Sequence, residues 1–180
     1  MAKRSFDIGK LVKVSHKQMC YEQQGDCVCL SDKRGRIAVQ TNDITVLGEL
    51  VKRGVELTER LGLKQTIDQI MNKDRAENLY SYTATGIQFP YYDHSDGKGK
   101  VLTMFRDCQQ DYYAVKLADK VYTEIFDPVL ITGGKSLTDP IIMVCSDCFG
   151  IVLPMRVSRQ YTVDQRENVK HLLDYLNAIR

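Results

Sequence analysis

The 180-residue chain has no tryptophan, only four prolines and three histidines, and no apolar run long enough to cross a bilayer. Each scarcity narrows the function classes. With His16, His94 and His171 as the only imidazoles, and no serine or cysteine in a recognisable nucleophile turn, a hydrolytic triad has little support. The first residues lack the apolar region of a secretory signal, so a cytoplasmic protein with no membrane contact is expected. Its six cysteines are then expected to stay reduced, which leaves metal binding or simple burial as their roles. A net charge of +2 is too small to argue for nucleic acid by itself.

What is present is globular in character. The chain is 43% hydrophobic and 27% charged, and its length suits one domain with a real core. The basic residues are uneven. Lys3, Arg4, Lys10, Lys13 and Lys17 face only Asp7 in the first seventeen positions, and Lys33, Arg34 and Arg36 follow in a turn. This is first a solvated leading segment over residues 1–20, helical from Phe6 onward, ahead of a folded region at 21–180. Nucleic-acid binding by those eight residues is the alternative.

A hairpin follows, with apolar runs Cys27–Leu30 and Ile37–Val39 about the turn-former stretch Ser31-Asp32-Lys33-Arg34-Gly35. Asn42 or Asp43 caps a helix expected to carry Ile44, Leu47, Leu50, Val51, Val55 and Leu61 before Gly62 stops it. A second helix is expected to open at the capping box Thr66-x-x-Gln69, with Ile67, Ile70, Met71 and Leu79 inward. Strands are expected about Ile87–Tyr92 and Val101–Phe105, with Pro90 placing the first at an edge or a bulge. Residues 109–126 carry Tyr113, Ala114, Leu117, Ala118, Val121, Tyr122 and Ile125 at amphipathic-helix spacing. Val129–Ile131 is a further strand. Then come strand Ile141–Cys145, turn Ser146-Asp147-Cys148-Phe149-Gly150, strand Ile151–Val157 and a closing helix opened by Thr162-x-x-Gln165, which buries Val169, Leu172, Leu173, Leu176 and Ile179. Hairpins with helices set between them imply an α+β fold with an antiparallel sheet and no βαβ alternation.

The closing residues, Ile141-Ile142-Met143-Val144, a turn, Phe149-Gly150-Ile151-Val152-Leu153 and Tyr161-Thr162 ahead of a long helix, resemble the end of a GAF domain. The Cys27–Val39 hairpin is similar to the opening hairpin of the GAF-like domains in the CodY and SpoVT regulators, and roadblock, profilin and longin modules share the plan. The resemblance implies a single GAF-like α+β domain over residues 21–180 and a regulatory or sensing role without catalysis. It carries over no ligand residue, and the DNA-binding domain of those regulators has no counterpart here.

Three motifs are weighed on their chemistry. Cys27-Val28-Cys29 and Cys145-Ser146-Asp147-Cys148 sit on the two similar hairpins, and four thiolates side by side suit tetrahedral zinc, although no cofactor is otherwise expected. Gly133-Gly134-Lys135-Ser136 ends like a phosphate loop, but Val129 stands where the first glycine belongs. The Asp93–Lys100 loop lacks calcium-ligand spacing. Against these, Tyr80, Tyr82, Tyr91, Tyr92, Tyr112 and Tyr113 cluster in the middle of the chain. Tyrosine packs by its ring and bonds by its hydroxyl, which suits pockets and interfaces. The expected ligand site is therefore Phe89, Tyr91, Tyr92 and Phe105 as walls with Arg106 as an anion partner. The expected partner is a small molecule or a protein, a second copy of the chain included. An enzyme with its site in residues 80–139 is a further alternative.

Overall fold

A computed structural model describes residues 4–76, 83–92, 99–106, 112–133, 139–154, 170–171 and 174–179. Helix α1 (Ile8–Val14) is capped by Asp7, whose side chain accepts from Lys10 N–H. It is shorter than the helix expected from Phe6 onward. The chain leaves it through Ser15–Lys17 and continues as strand β1 (Gln18–Gln24). That strand crosses the expected boundary between leading segment and folded region. Phe6, Ile8, Leu11 and Met19 are all buried, so these residues are core and not a solvated arm.

The early hairpin is as expected. Strand β2 (Cys27–Asp32) pairs antiparallel with β3 (Ile37–Thr41) and with β1. Its turn is held by the buried Asp32 carboxylate, which accepts from Arg36 N–H at 2.6 Å and Ile37 N–H at 3.1 Å. Gly35 supplies the positive φ of 66° that the turn needs.

Helix α2 (Thr45–Lys52) ends ten residues before Gly62. The sequence Val55 to Leu61 has helical spacing, but Val55 is instead drawn into the core and Glu56–Glu59 becomes β4, parallel to β1. Val51 and Leu61, expected to face inward, are 61% and 83% exposed. The sheet is consequently mixed: β3, α2 and β4 form a parallel crossover where only antiparallel hairpins were expected.

Helix α3 (Leu63–Ala76) begins three residues before the Thr66 capping box. Thr66 lies within the helix, and its hydroxyl donates to Gly62 O. The first-turn amides are met from another strand: Glu22 of β1 accepts from Lys64 N–H at 2.7 Å. With that bond, and one from Gln24, the Glu22 carboxyl is held below its usual range. Leu63, Ile67 and Met71 are buried; Leu79 lies outside the described residues.

Strands β5 (Thr83–Tyr92) and β6 (Gly99–Arg106) form the expected antiparallel pair, with a register shift between Ala84 and Gln88. Residues 112–119 are not helical. They form β7 (Tyr112–Asp119) against β6, and only Lys120–Thr123 turn helical, as α4. Alternation through Tyr113, Val115 and Leu117 fits a strand as well as the three-and-four spacing fits a helix, and the pairing to β6 decides between them. The chain closes through β8 (Leu130–Gly133), β9 (Ile141–Val144) and β10 (Cys148–Val152). Strand β10 starts three residues earlier than expected. Residues 174–178 are helical, but Ile179 is 60% exposed and not buried; Thr162–Gln165, Val169, Leu172 and Leu173 lie outside the described residues.

The strand order is β4-β1-β2-β3-β10-β9-β8-β5-β6-β7. Seven strands form one body, and among the described residues the β5–β6–β7 ribbon pairs with it at Thr83 with Thr132. This is an α+β fold. Two buried clusters lie on opposite faces of the seven strands. One joins Val28, Leu30, Ile37, Val39, Met143 and Val152 to α1 and α2. The other joins Cys29, Ile142 and Ile151 to Leu63, Ile67 and Met71 of α3. Along β2, β3, β9 and β10 alternate residues serve the two clusters in turn. Among the described residues no helix is long and apolar enough to cross a membrane.

Candidate functional site

On the face covered by α1 and α2, residues 4–7 run between the α4–β8 connection and the β9–β10 turn. Asp7 N–H donates to Ile125 O at 2.8 Å, Asp127 N–H donates to Ser5 O at 2.7 Å, and Phe6 and Phe126 form an isolated antiparallel bridge. From the other side the Asp147 carboxylate accepts from Ser5 N–H at 3.1 Å, and the hydroxyls of Ser5 and Ser146 lie 2.7 Å apart. Thr41 Oγ1 donates to Asp147 O at 3.1 Å, so β3 steadies the same turn.

Gly150 fixes this arrangement from below. The sequence places it at the end of the turn, but it lies within β10, paired with Val39 and Met143. A Cβ there would run into the Phe126 ring. The glycine is needed for close approach and not for backbone freedom.

Above Ser5 the chain presents Arg4 to the start of α2. Its guanidinium reaches Asp43 at 2.5 Å, Glu49 at 2.8 Å and Thr45 Oγ1 at 2.7 Å. Asp43 also accepts from Thr45 N–H at 3.0 Å, capping the helix as expected. Burial works against the charge on both partners, yet the hydrogen bonds win: Asp43 is held below its usual range and Arg4 above its own.

These elements enclose an open cleft of about 900 Å³. Phe6, Ile8 and Phe126 give it an apolar portion, and Arg4, Lys10, Arg53, Asp7, Asp43, Glu49, Glu124, Asp127 and Asp147 line the rest. Most of these side chains are already engaged in hydrogen bonds or ion pairs. Arg4 is paired, Lys10 Nζ donates to Glu124 O at 3.1 Å, and Asp147 holds Ser5. Arg53 and Asp127 differ: among the described residues neither side chain is engaged in a hydrogen bond or ion pair. The described lining contains no histidine and no cysteine.

The residues expected to form a site are distributed elsewhere. Phe89, Tyr91 and Tyr92 lie on β5 opposite Leu102, Lys100 and Gly99, whereas Phe105 and Arg106 pair with Ala84 and Thr83 at the other end of that strand. Along the backbone, Phe89, Tyr91 and Tyr92 stand toward one end of the β5–β6 pair and Phe105 and Arg106 toward the other; Tyr80, Tyr82 and the loop 93–98 lie outside the described residues.

The four cysteines expected to meet are on opposite faces of the sheet. Cys27 and Cys29 belong with the α3 cluster, and Cys145 and Cys148 with the α1 and α2 cluster. β3 separates β2 from β10, so similar hairpins do not become adjacent hairpins. Among the described residues no group of three or more histidine, cysteine or acidic side chains is placed to hold a metal ion. The expected Gly133–Ser136 loop is seen only as Gly133 at the end of β8.

The basic residues divide into two sets. Arg4 and Lys10 belong to the cleft, and Lys3 lies outside the described residues. Lys13 and Lys17 stand at the end of α1 and the entrance of β1, and Met19 of β1 pairs with Asp32 next to Lys33, Arg34 and Arg36. All five are exposed and gather at one end of the sheet. Sequence reasoning missed Asp43, Glu49, Arg53, Asp127 and Asp147 as a group. Their only local signal is the cap at Asp43, because the cleft is assembled from four distant segments. Comparison with family models, with curated proteins and with solved structures finds no match for this chain.

Proposed function

We propose that the protein is a non-enzymatic sensing module that binds a small zwitterionic ligand, of the α-amino-acid class, in the cleft between residues 4–10, α2 and the segment 124–127. The observation that carries this reading is the pair of opposite charges, Arg53 and Asp127, with no side-chain hydrogen bond or ion pair among the described residues, on a lining whose other charged residues are engaged in hydrogen bonds or ion pairs. A guanidinium binds a carboxylate through two parallel N–H bonds, and an aspartate accepts from an ammonium. Phe6 and Phe126 offer contact for a short apolar side chain.

Thermal unfolding across a panel of amino acids and nucleotides tests this. A ligand at a hundred times its Kd adds about 2.7 kcal/mol, a clear rise in Tm. The rise is expected with amino acids, and is lost in Arg53→Ala and Asp127→Ala. An unchanged Tm across the amino acids would end the reading.

The basic end of the sheet supports a second reading, nucleic-acid binding, because Lys13, Lys17, Lys33, Arg34 and Arg36 are exposed together. Phosphate contacts release counterions, so binding should weaken steeply with salt and lose slope in a Lys33→Gln, Arg34→Gln, Arg36→Gln protein. No gel shift at low salt would remove it.

A further inference from the structure

Cys145, one residue past the end of β9, and Cys148, the first residue of β10, flank Ser146-Asp147 in the turn between the two strands. Their strands pair with Val144 opposite Phe149, so the register continues to Cys145 opposite Cys148, and Cys145 N–H donates to Cys148 O at 3.0 Å. Directly opposed antiparallel residues hold their Cβ atoms about 4.5–5.5 Å apart, and a disulfide needs about 3.5–4.5 Å. Closing that gap takes a small movement at the tip of a hairpin. Both cysteines are buried and belong to the same cluster, while Ser146 and Asp147 between them are exposed.

We infer that Cys145 and Cys148 form a thiol–disulfide exchange site whose substrate is a small disulfide of the glutathione class. The Cys145 thiolate attacks one sulfur of that disulfide, breaking its S–S bond and releasing one small thiol. Cys148 then gives up its proton and attacks the Cys145 sulfur of the mixed disulfide, expelling the second small thiol. The protein loses two electrons and two protons and gains one S–S bond; the small disulfide takes up both and leaves as two thiols.

The two sulfurs are suited to unequal parts. The Cys148 side chain beside it holds the Cys145 thiol below its usual range, which favours Cys145 as the attacking sulfur; in the resting structure the Cys145 thiol donates to Met143 O at 4.0 Å. The adjacent Cys145 side chain, with burial and the neighbouring Asp147 carboxylate, raises Cys148, which suits it to stay protonated until the mixed disulfide forms. The other pair is arranged differently. Cys27 and Cys29 are two positions apart on one strand, so their Cα atoms are about 6.6 Å apart, near the upper limit for a disulfide, and burial pushes Cys29 up to about 12.

The test is equilibration of the full chain with oxidised and reduced glutathione, followed by acid quenching, alkylation and mass analysis of the tryptic peptide 136–156, which contains both cysteines. The expected result is a peptide lighter by two hydrogens with no alkylated thiol, reversed by excess reduced glutathione. In Cys148→Ser a stable glutathione adduct should form on Cys145, and in Cys145→Ser the adduct on Cys148 should be at least ten times less abundant. If the Cys148→Ser chain does not fold, early quenching of the wild-type reaction should show the transient adduct on Cys145. A peptide that keeps two alkylatable thiols while Cys20 or Cys27 takes up glutathione would overturn the proposal.

Discussion

Two turns in this protein share the dipeptide Ser-Asp and do opposite jobs. Asp32 closes its own hairpin, accepting from the amides of Arg36 and Ile37 four and five residues ahead. Asp147 does not hold its hairpin by reaching forward; its carboxylate binds Ser5 N–H, 142 residues away in the chain. The glycines differ in the same sense. Gly35 sits at φ 66° in the turn itself, whereas Gly150 is already inside β10 beneath the Phe126 ring. One turn is a local structure made by its own residues. The other is a tie point that fixes the floor of the cleft, and the same residue types serve both because a carboxylate binds whichever amide the backbone brings to it.

The largest difference should appear at the glycines. Gly150→Val is expected to cost about 3 kcal/mol in denaturant unfolding, because its side chain has no room against Phe126, and Gly35→Ala about 1 kcal/mol for the left-handed backbone alone. Adding Phe126→Leu should recover part of the loss at 150 and none at 35. Equal costs for the two would mean that Gly150 is a turn glycine.

A smaller contrast is expected between the aspartates. Asp32→Ala strands two amides beneath a buried side chain and should cost about 2 kcal/mol; Asp147→Ala, at an exposed turn, should cost about 1 kcal/mol. Hydrogen exchange separates them further. Loss of Asp32 should speed exchange at residues 36–37, and loss of Asp147 should speed it at Ser5. Exchange at Ser5 that is insensitive to Asp147 would break the comparison.

The smallest effect concerns a third carboxylate, Glu22, which meets the first turn of α3. Its folded pKa is lowered, so its contribution is fully present above the unfolded value near 4.5 and is lost as pH falls through the lower, folded value. Glu22→Gln should flatten that part of the acid limb of stability against pH while leaving the curve above pH 6 parallel to the wild type. An unchanged acid limb would show that the Glu22 contact is too well solvated to matter.

These contrasts also show what sequence can carry. The β2–β3 hairpin was legible because Asp32, Gly35 and two apolar runs state a local structure completely. The cap at Asp43 was legible for the same reason. Strands β1 and β4 were not, since Gln18–Gln24 and Glu56–Glu59 are mostly polar and extend only because a neighbouring strand pairs with them. Strand β7 failed differently: its residues satisfy both periods, and β6 chooses. The cleft was the least legible feature. Arg4, Arg53, Asp127 and Asp147 carry no motif, and backbone bonds between distant segments bring them together.

The account rests on the cleft as the binding surface, with the Asp147 turn as its anchor. Hydrogen exchange of the full chain, with and without a saturating amino acid chosen by its thermal shift, tests this most directly. Added protection is expected over residues 4–10, 43–53 and 124–127, with residues 33–36 unchanged. Protection centred on 33–36 or on the β5–β6 ribbon, with none at residues 4–10, would contradict it.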